Sequence, residues 1–225
     1  MLLALGWNQP HLDRVRTLWP LAVLGTAAAV VFAWLCDGVG DHDGITAVDG
    51  PTATWFAAHR TLTEGQFALL IAKATSPAVL IVAVIAAALI ARRRGHHLEA
   101  TLLVAATVLA YIAGAIAKIG EHRARPTTPI NLAPESEPSF PSGHVLVIAT
   151  VALVALALAW NHLSRSSRAF ATFAAAATIV VVSLDRLVVG AHWLTDVAGS
   201  LALAVVILSL TVTAHRLLTP AQRST

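Results

Sequence analysis

Six apolar runs limit what this chain can fold into. They fall at about 18–36, 67–91, 98–117, 144–160, 169–185 and 192–214, each rich in Ala, Val and Leu. They are too long for strands and close to the roughly 20 residues that a helix needs to cross a bilayer core. The sequence is 57% hydrophobic and 12% charged, against about 25% charged in soluble domains. Its mean hydropathy is +0.74. The 225 residues accommodate six spans and little else. The expected fold class is therefore all-α: a polytopic bundle of six transmembrane helices, with residues 1–225 as a single membrane domain. Small residues at Gly114-Ala115 and Ala198-Gly199-Ser200 are expected to let helices approach closely.

Charge sets an expected orientation. Nine Lys and Arg residues flank one side of the runs: Arg14, Arg16, Arg92, Arg93, Arg94, Arg165, Arg168, Arg216 and Arg223. Six fall on the other: Arg60, Lys73, Lys118, Arg123, Arg125 and Arg186. The positive-inside rule then puts both termini in the cytoplasm. The net charge of +3 reads as topology rather than nucleic-acid binding, because no basic stretch is interleaved with aromatics. Cys36 is the only cysteine, which excludes an internal disulfide and a cysteine metal site. The N-terminus lacks a basic segment ahead of its apolar residues, so the first span is expected to be retained. Trp19, Trp34, Trp160 and Trp193 lie near run ends and read as an interfacial belt.

The polar chemistry concentrates at three places on the charge-poor side. Pro141-Ser142-Gly143-His144 is a tight turn opening an apolar run. Amides at a helix start, a hydroxyl and the positive end of the dipole make an anion site there, with His144 at its lip. Lys118 and Arg125 are seven residues apart, ahead of Pro126. If the third helix continues outward for two turns, both cations share a face. His192 and Asp196 are spaced i and i+4 at the start of the sixth run, with Arg186 upstream. A carboxylate on one ring nitrogen fixes the tautomer and leaves the other free as a nucleophile. Two histidines, a carboxylate and three cations suit phosphoryl transfer without a metal.

With these residues in place, the chain resembles the type 2 phosphatidic acid phosphatase (PAP2) family, membrane relatives of the vanadium haloperoxidases. The family pattern is Lys-x6-Arg-Pro, Pro-Ser-Gly-His and Ser-Arg-x5-His-x3-Asp. Here it reads Lys118…Arg125-Pro126, Pro141-Ser142-Gly143-His144 and Arg186…His192…Asp196. The resemblance implies that Lys118, Arg125, Ser142, the Gly143 amide and Arg186 hold phosphate. It implies His192 as nucleophile supported by Asp196, His144 as the acid, and no metal or other cofactor. One departure is Asp185 where the family has serine; it is expected to face away or to pair with Arg186.

The function expected is a phosphatase in the plasma membrane, with its site on the outer face and a lipid phosphate or diphosphate as substrate. Polyprenyl diphosphate ranks first, and phosphatidate or phosphatidylglycerol phosphate second. The alternative from another class is a membrane protein that binds or transports anionic lipids without hydrolysis. Blander readings attach to other residues. Glu121, His122 and Arg123 are expected to face solvent or head group. Glu135 and Glu137 are read as lying in a flexible proline-rich loop, and His96 and His97 in a solvated turn. Lys73 and Tyr111 read as packing residues. Segment 37–66 reads as a connecting loop, with a short surface helix over 53–58 as the alternative.

Overall fold

The computed structural model describes residues 10–41, 44–127 and 129–219, with side chains from Leu18 onward. Residues 1–9, the side chains of Arg14 and Arg16, and Arg223 enter the sequence argument but lie outside this description. Among the described residues every regular element is helical. The helices are α1 (Pro10–Asp41), α2 (Asp49–His59), α3 (Leu62–Ala74), α4 (Pro77–Arg93), α5 (His97–Glu121), α6 (Gly143–Ala159), α7 (Arg165–Val189) and α8 (Leu194–Leu218). Among the described residues five helices are long and apolar enough to cross a bilayer, and α3 with α4, bent by 47° at their break, makes either a broken sixth span or a re-entrant loop. The protein is a multi-pass membrane protein.

The bend has a local cause. Ser76 is extended and Pro77 is the first residue of α4. Proline supplies no amide for a continuing helix and disfavours the helical region for the residue before it. The run at 67–91 is thus a broken helix rather than one continuous rod. A Thr61–Glu64 capping box starts α3, satisfying amides that a helix start leaves open.

Helix α6 occupies the centre, packed against α4, α5, α7 and α8, while α1 lies along α8. Leu103, Ala106, Ala110, Leu146, Val147, Ala149, Val154, Ala204 and Ile207 form the main buried cluster. Burial alone separates helices from lipid only weakly, so close approach carries much of the packing. A Cβ added to Gly114 would sit 3.0 Å from Leu146, and one added to Gly199 would sit 2.6 Å from the Phe140 ring. Val30, Phe67, Val82, Ile112, Ile116, Phe170 and Phe173 instead face outward, as a lipid-facing surface requires.

Two helix ends differ from the sequence reading or sharpen it. Helix α5 stops at Glu121, because His122 adopts a left-handed conformation with φ 45°. Lys118 and Arg125 therefore do not share a helical face; Arg125 follows in an irregular segment. Helix α7 stops at Gly190, φ 72°, where any Cβ would lie 2.2 Å from the Ile130 carbonyl oxygen. Segment 49–59, read as part of a connecting loop, is the helix α2, whose side holds Asp49 beside the start of α8.

Candidate active site

The connections at one end of the bundle are tied together by backbone bonds. The Leu132 amide donates to the Val189 carbonyl, and the Ser139 amide to the Arg123 carbonyl. Arg60 donates to the carbonyls of Pro129, Ile130 and Val188 at 2.6–2.9 Å. This cation clamps the long connection onto the end of α7. The Pro-Ser-Gly-His turn is fixed to α8 as well: the Ser200 hydroxyl donates to the carbonyls of Ser142 and Asp196, at 2.9 and 2.7 Å.

His192 lies in the turn between α7 and α8 and is 2% exposed. Its Nδ1 is 3.2 Å from Asp196 Oδ2, and its Nε2 is 3.2 Å from an Arg125 terminal nitrogen. Arg can only donate and an ionised carboxylate can only accept, so the partners assign the tautomer. Nδ1 carries the hydrogen, and the Nε2 lone pair accepts from Arg125 and is freed for attack when Arg125 turns to an anion. Burial pushes the His192 pKa below its ordinary value, outweighing the opposing pull of Asp196. The ring is therefore held neutral near neutral pH, the form in which Nε2 can attack.

Asp196 is fully buried and its carboxylate is saturated. Oδ2 also accepts from the Trp193 amide at 2.9 Å, and Oδ1 accepts from Arg123 at 2.6 Å. Arg123 is buried rather than facing solvent or a head group. It bridges Asp196 to Asp49 Oδ2, 2.5 Å away, and donates to the Thr195 hydroxyl at 2.7 Å. Asp49 in turn accepts from the Thr195 amide at 2.9 Å and its hydroxyl at 2.6 Å. A chain Asp49–Arg123–Asp196–His192 thus orients the histidine from behind. Trp193, read as a belt residue, donates from its indole to the Ala124 carbonyl at 2.8 Å, with the Arg123 guanidinium 5.6 Å from its ring centre.

A cavity of about 320 Å³ brings Lys118, Arg125, Gly143, His144 and His192 together, beside Thr75, Tyr111 and the apolar Leu80, Leu146 and Val147. Thr75 and Pro77 bring the break between α3 and α4 to its wall. A Cβ at Gly143 would meet nothing within 4 Å, so the start of α6 leaves room for an anion at its open amides. The Ser142 hydroxyl is fully buried, has no hydrogen-bond partner and does not itself line the cavity. A larger apolar groove of about 580 Å³ lies between α2, α3 and α7, lined by Trp55, Phe56, Phe67, Ile71, Val181 and Leu184. It carries neither His144 nor His192.

Carboxylates already sit on the cations. Glu135 pairs with Arg125 at 2.7 Å, and Glu137 lies 3.9 Å from the Lys118 ammonium. These glutamates are part of the cavity wall rather than of a free loop. Lys118 also donates to the Pro138 carbonyl. Arg186 is buried and gives its Nε, at 2.9 Å, and a terminal nitrogen to Asp185 Oδ2. Asp185 therefore pairs with Arg186, and Arg186, buried, is not among the residues that line the cavity.

Five or six apolar spans thus carry at one end a cavity where two histidines meet Lys118 and Arg125. The chain belongs to the PAP2 superfamily, whose family model matches residues 99–220. The fold is similar to the crystal structure of a transmembrane PAP2-type phosphatidylglycerolphosphate phosphatase from Bacillus subtilis. The TM-score is 0.78 at 20% identity, covering 88% of this chain and 99% of that one. No curated protein matches the sequence.

Proposed function

We propose that this protein hydrolyses a lipid phosphate or diphosphate through a phosphohistidine on His192. The observation that carries the reading is the His192 ring itself. Asp196 accepts its Nδ1 hydrogen, and its Nε2, bonded to Arg125, lies at a cavity lined also by Lys118 and His144. In the first step Nε2 attacks phosphorus and the bond to the leaving oxygen breaks. His144 gives that oxygen a proton. Water then attacks the phosphohistidine, His144 takes its proton, and the phosphorus–nitrogen bond breaks. Lys118, Arg125, Ser142, the Gly143 amide and Arg186 offset charge on the phosphoryl oxygens, which is where such reactions need stabilisation. The protein's own cations fill the role, and no metal is assigned to this step.

The phosphate site lies at span ends, so the substrate places its phosphate at the interface and its tail in the bilayer. Five cations on this side, Arg60, Lys118, Arg123, Arg125 and Arg186, have partners within the fold. Arg92, Arg93, Arg94, Arg165 and Arg216 are exposed at the other end. This supports a plasma-membrane protein with cytoplasmic termini and the site outside. Polyprenyl diphosphate is the first reading of the substrate. Phosphatidylglycerol phosphate is the second, favoured by the substrate of the structurally similar enzyme. The test is phosphate release from both lipids and phosphatidate by purified protein with a chelator present. Wild type releases phosphate and His192→Ala does not. Full turnover by His192→Ala contradicts the mechanism, and loss of turnover in chelator by wild type that stays folded contradicts the metal-free reading.

A further inference from the structure

The end of the bundle away from His192 carries a second cluster of chemistry. His96 precedes α5, Glu99 lies in its first turn, His162 ends the turn after α6, and His215 lies in the last turn of α8. One donor atom from each of His96, Glu99 and His162 falls within 4.8 Å of the others. His215 Nε2 is 3.5 Å from Glu99 Oε1, and His162 Nε2 is 3.8 Å from the same oxygen. The rings of His96 and His162 are tilted against each other with centres 4.2 Å apart. Glu99 and Lys118 are 19 residues apart on one helix, hence about 29 Å. The cluster is separate from the phosphate site.

We propose that these residues form a binding site for a divalent transition metal of the zinc class. Imidazole nitrogens and one carboxylate oxygen are the ligand types such ions select over magnesium or calcium. Ligands about 2.0–2.1 Å from a tetrahedral zinc ion lie about 3.3 Å from one another. The 3.5 and 3.8 Å separations around Glu99 Oε1 need only a small contraction to reach this. His96, Glu99 and His162 make three ligands that close on one another within 4.8 Å; His215, held to the same Glu99 oxygen but outside that group, supplies the fourth by a side-chain rotation. The four come from the α4–α5 turn, the start of α5, the α6–α7 turn and the end of α8, so the ion ties two connections to the end of α8. His97, next in sequence, is exposed and stands outside the cluster.

The test uses full-length protein in detergent, purified without a histidine tag and stripped by chelator. Cobalt(II) is titrated and its visible absorption recorded, since a tetrahedral nitrogen and oxygen site absorbs far more strongly than the aqueous ion. Wild type and His97→Ala bind one equivalent, and zinc displaces it. Glu99→Gln and His162→Ala bind at least about tenfold more weakly. Zinc raises the unfolding midpoint of wild type and not of these two variants. Retained phosphate release by both variants shows that they fold. Binding that does not saturate, or that survives the Glu99→Gln/His162→Ala double change, overturns the proposal as adventitious binding by surface imidazoles. This outcome leaves the phosphatase reading untouched.

Discussion

Arg123 gives the most quantitative prediction. Its side chain is 8% exposed, and its two partners, Asp49 and Asp196, are 4% and 0% exposed. Replacing it with leucine leaves two buried carboxylates without their cation. Breaking a buried pair costs about 3–5 kcal/mol. Asp196 keeps the Trp193 amide and His192, whereas Asp49 keeps only Thr195. A loss of 3 kcal/mol is about a 150-fold shift in the folding equilibrium. Asp49→Asn in the same chain removes one stranded charge, so the double variant is expected to lose less than the sum of the singles, by at least about 0.5 kcal/mol. Thermal unfolding in detergent, followed by tryptophan fluorescence, reads the cycle. Phosphate release measured well below the unfolding midpoint falls with Arg123→Leu, because Asp196 is no longer held from behind. Full stability and full turnover in Arg123→Leu would refute the network.

The pH dependence follows from His192, whose pKa lies below the ordinary histidine value of about 6.5. Protonation removes the Nε2 lone pair, so phosphohistidine formation should persist through that pH on acidification and fail only below it. Rapid quenching across pH reads this, and a midpoint at or above the ordinary value counts against it. Gly190→Ala places a Cβ 2.2 Å from Ile130 oxygen in a left-handed turn. It should lower stability by about 1–3 kcal/mol, and an unchanged unfolding midpoint contradicts that turn. Asp185→Ser releases two donors of Arg186. Inorganic phosphate should then inhibit about tenfold more tightly, and weaker inhibition would mean Asp185 orients Arg186 for binding.

What was legible in the sequence follows the range of each interaction. The six runs were readable because a bilayer imposes a length on every crossing helix. The motif residues were readable because their spacing is local: His192 and Asp196 sit one turn apart and make the expected bond. Ser76-Pro77 was a visible breaker, yet it lay inside an apolar run whose length dominated the reading. The end of α5 was read from Pro126, whereas His122 ends it four residues earlier by its left-handed turn. Arg123 was missed because its partner Asp49 is 74 residues away in sequence, and no periodicity links them. Trp193 matched the belt pattern by position, but its indole is engaged by the Ala124 carbonyl. Glu135 and Glu137 lie among prolines, and only the path of the connection brings them onto Arg125 and Lys118.

The central claim is that His192 Nε2 becomes bonded to phosphorus. It is tested by rapid quenching of the enzyme with a radiolabelled lipid phosphate under alkaline conditions, followed by peptide mapping. The account predicts label on His192 that turns over in wild type and is absent from His192→Ala. Turnover of the lipid with no labelled histidine, or with label on His144 instead, contradicts it.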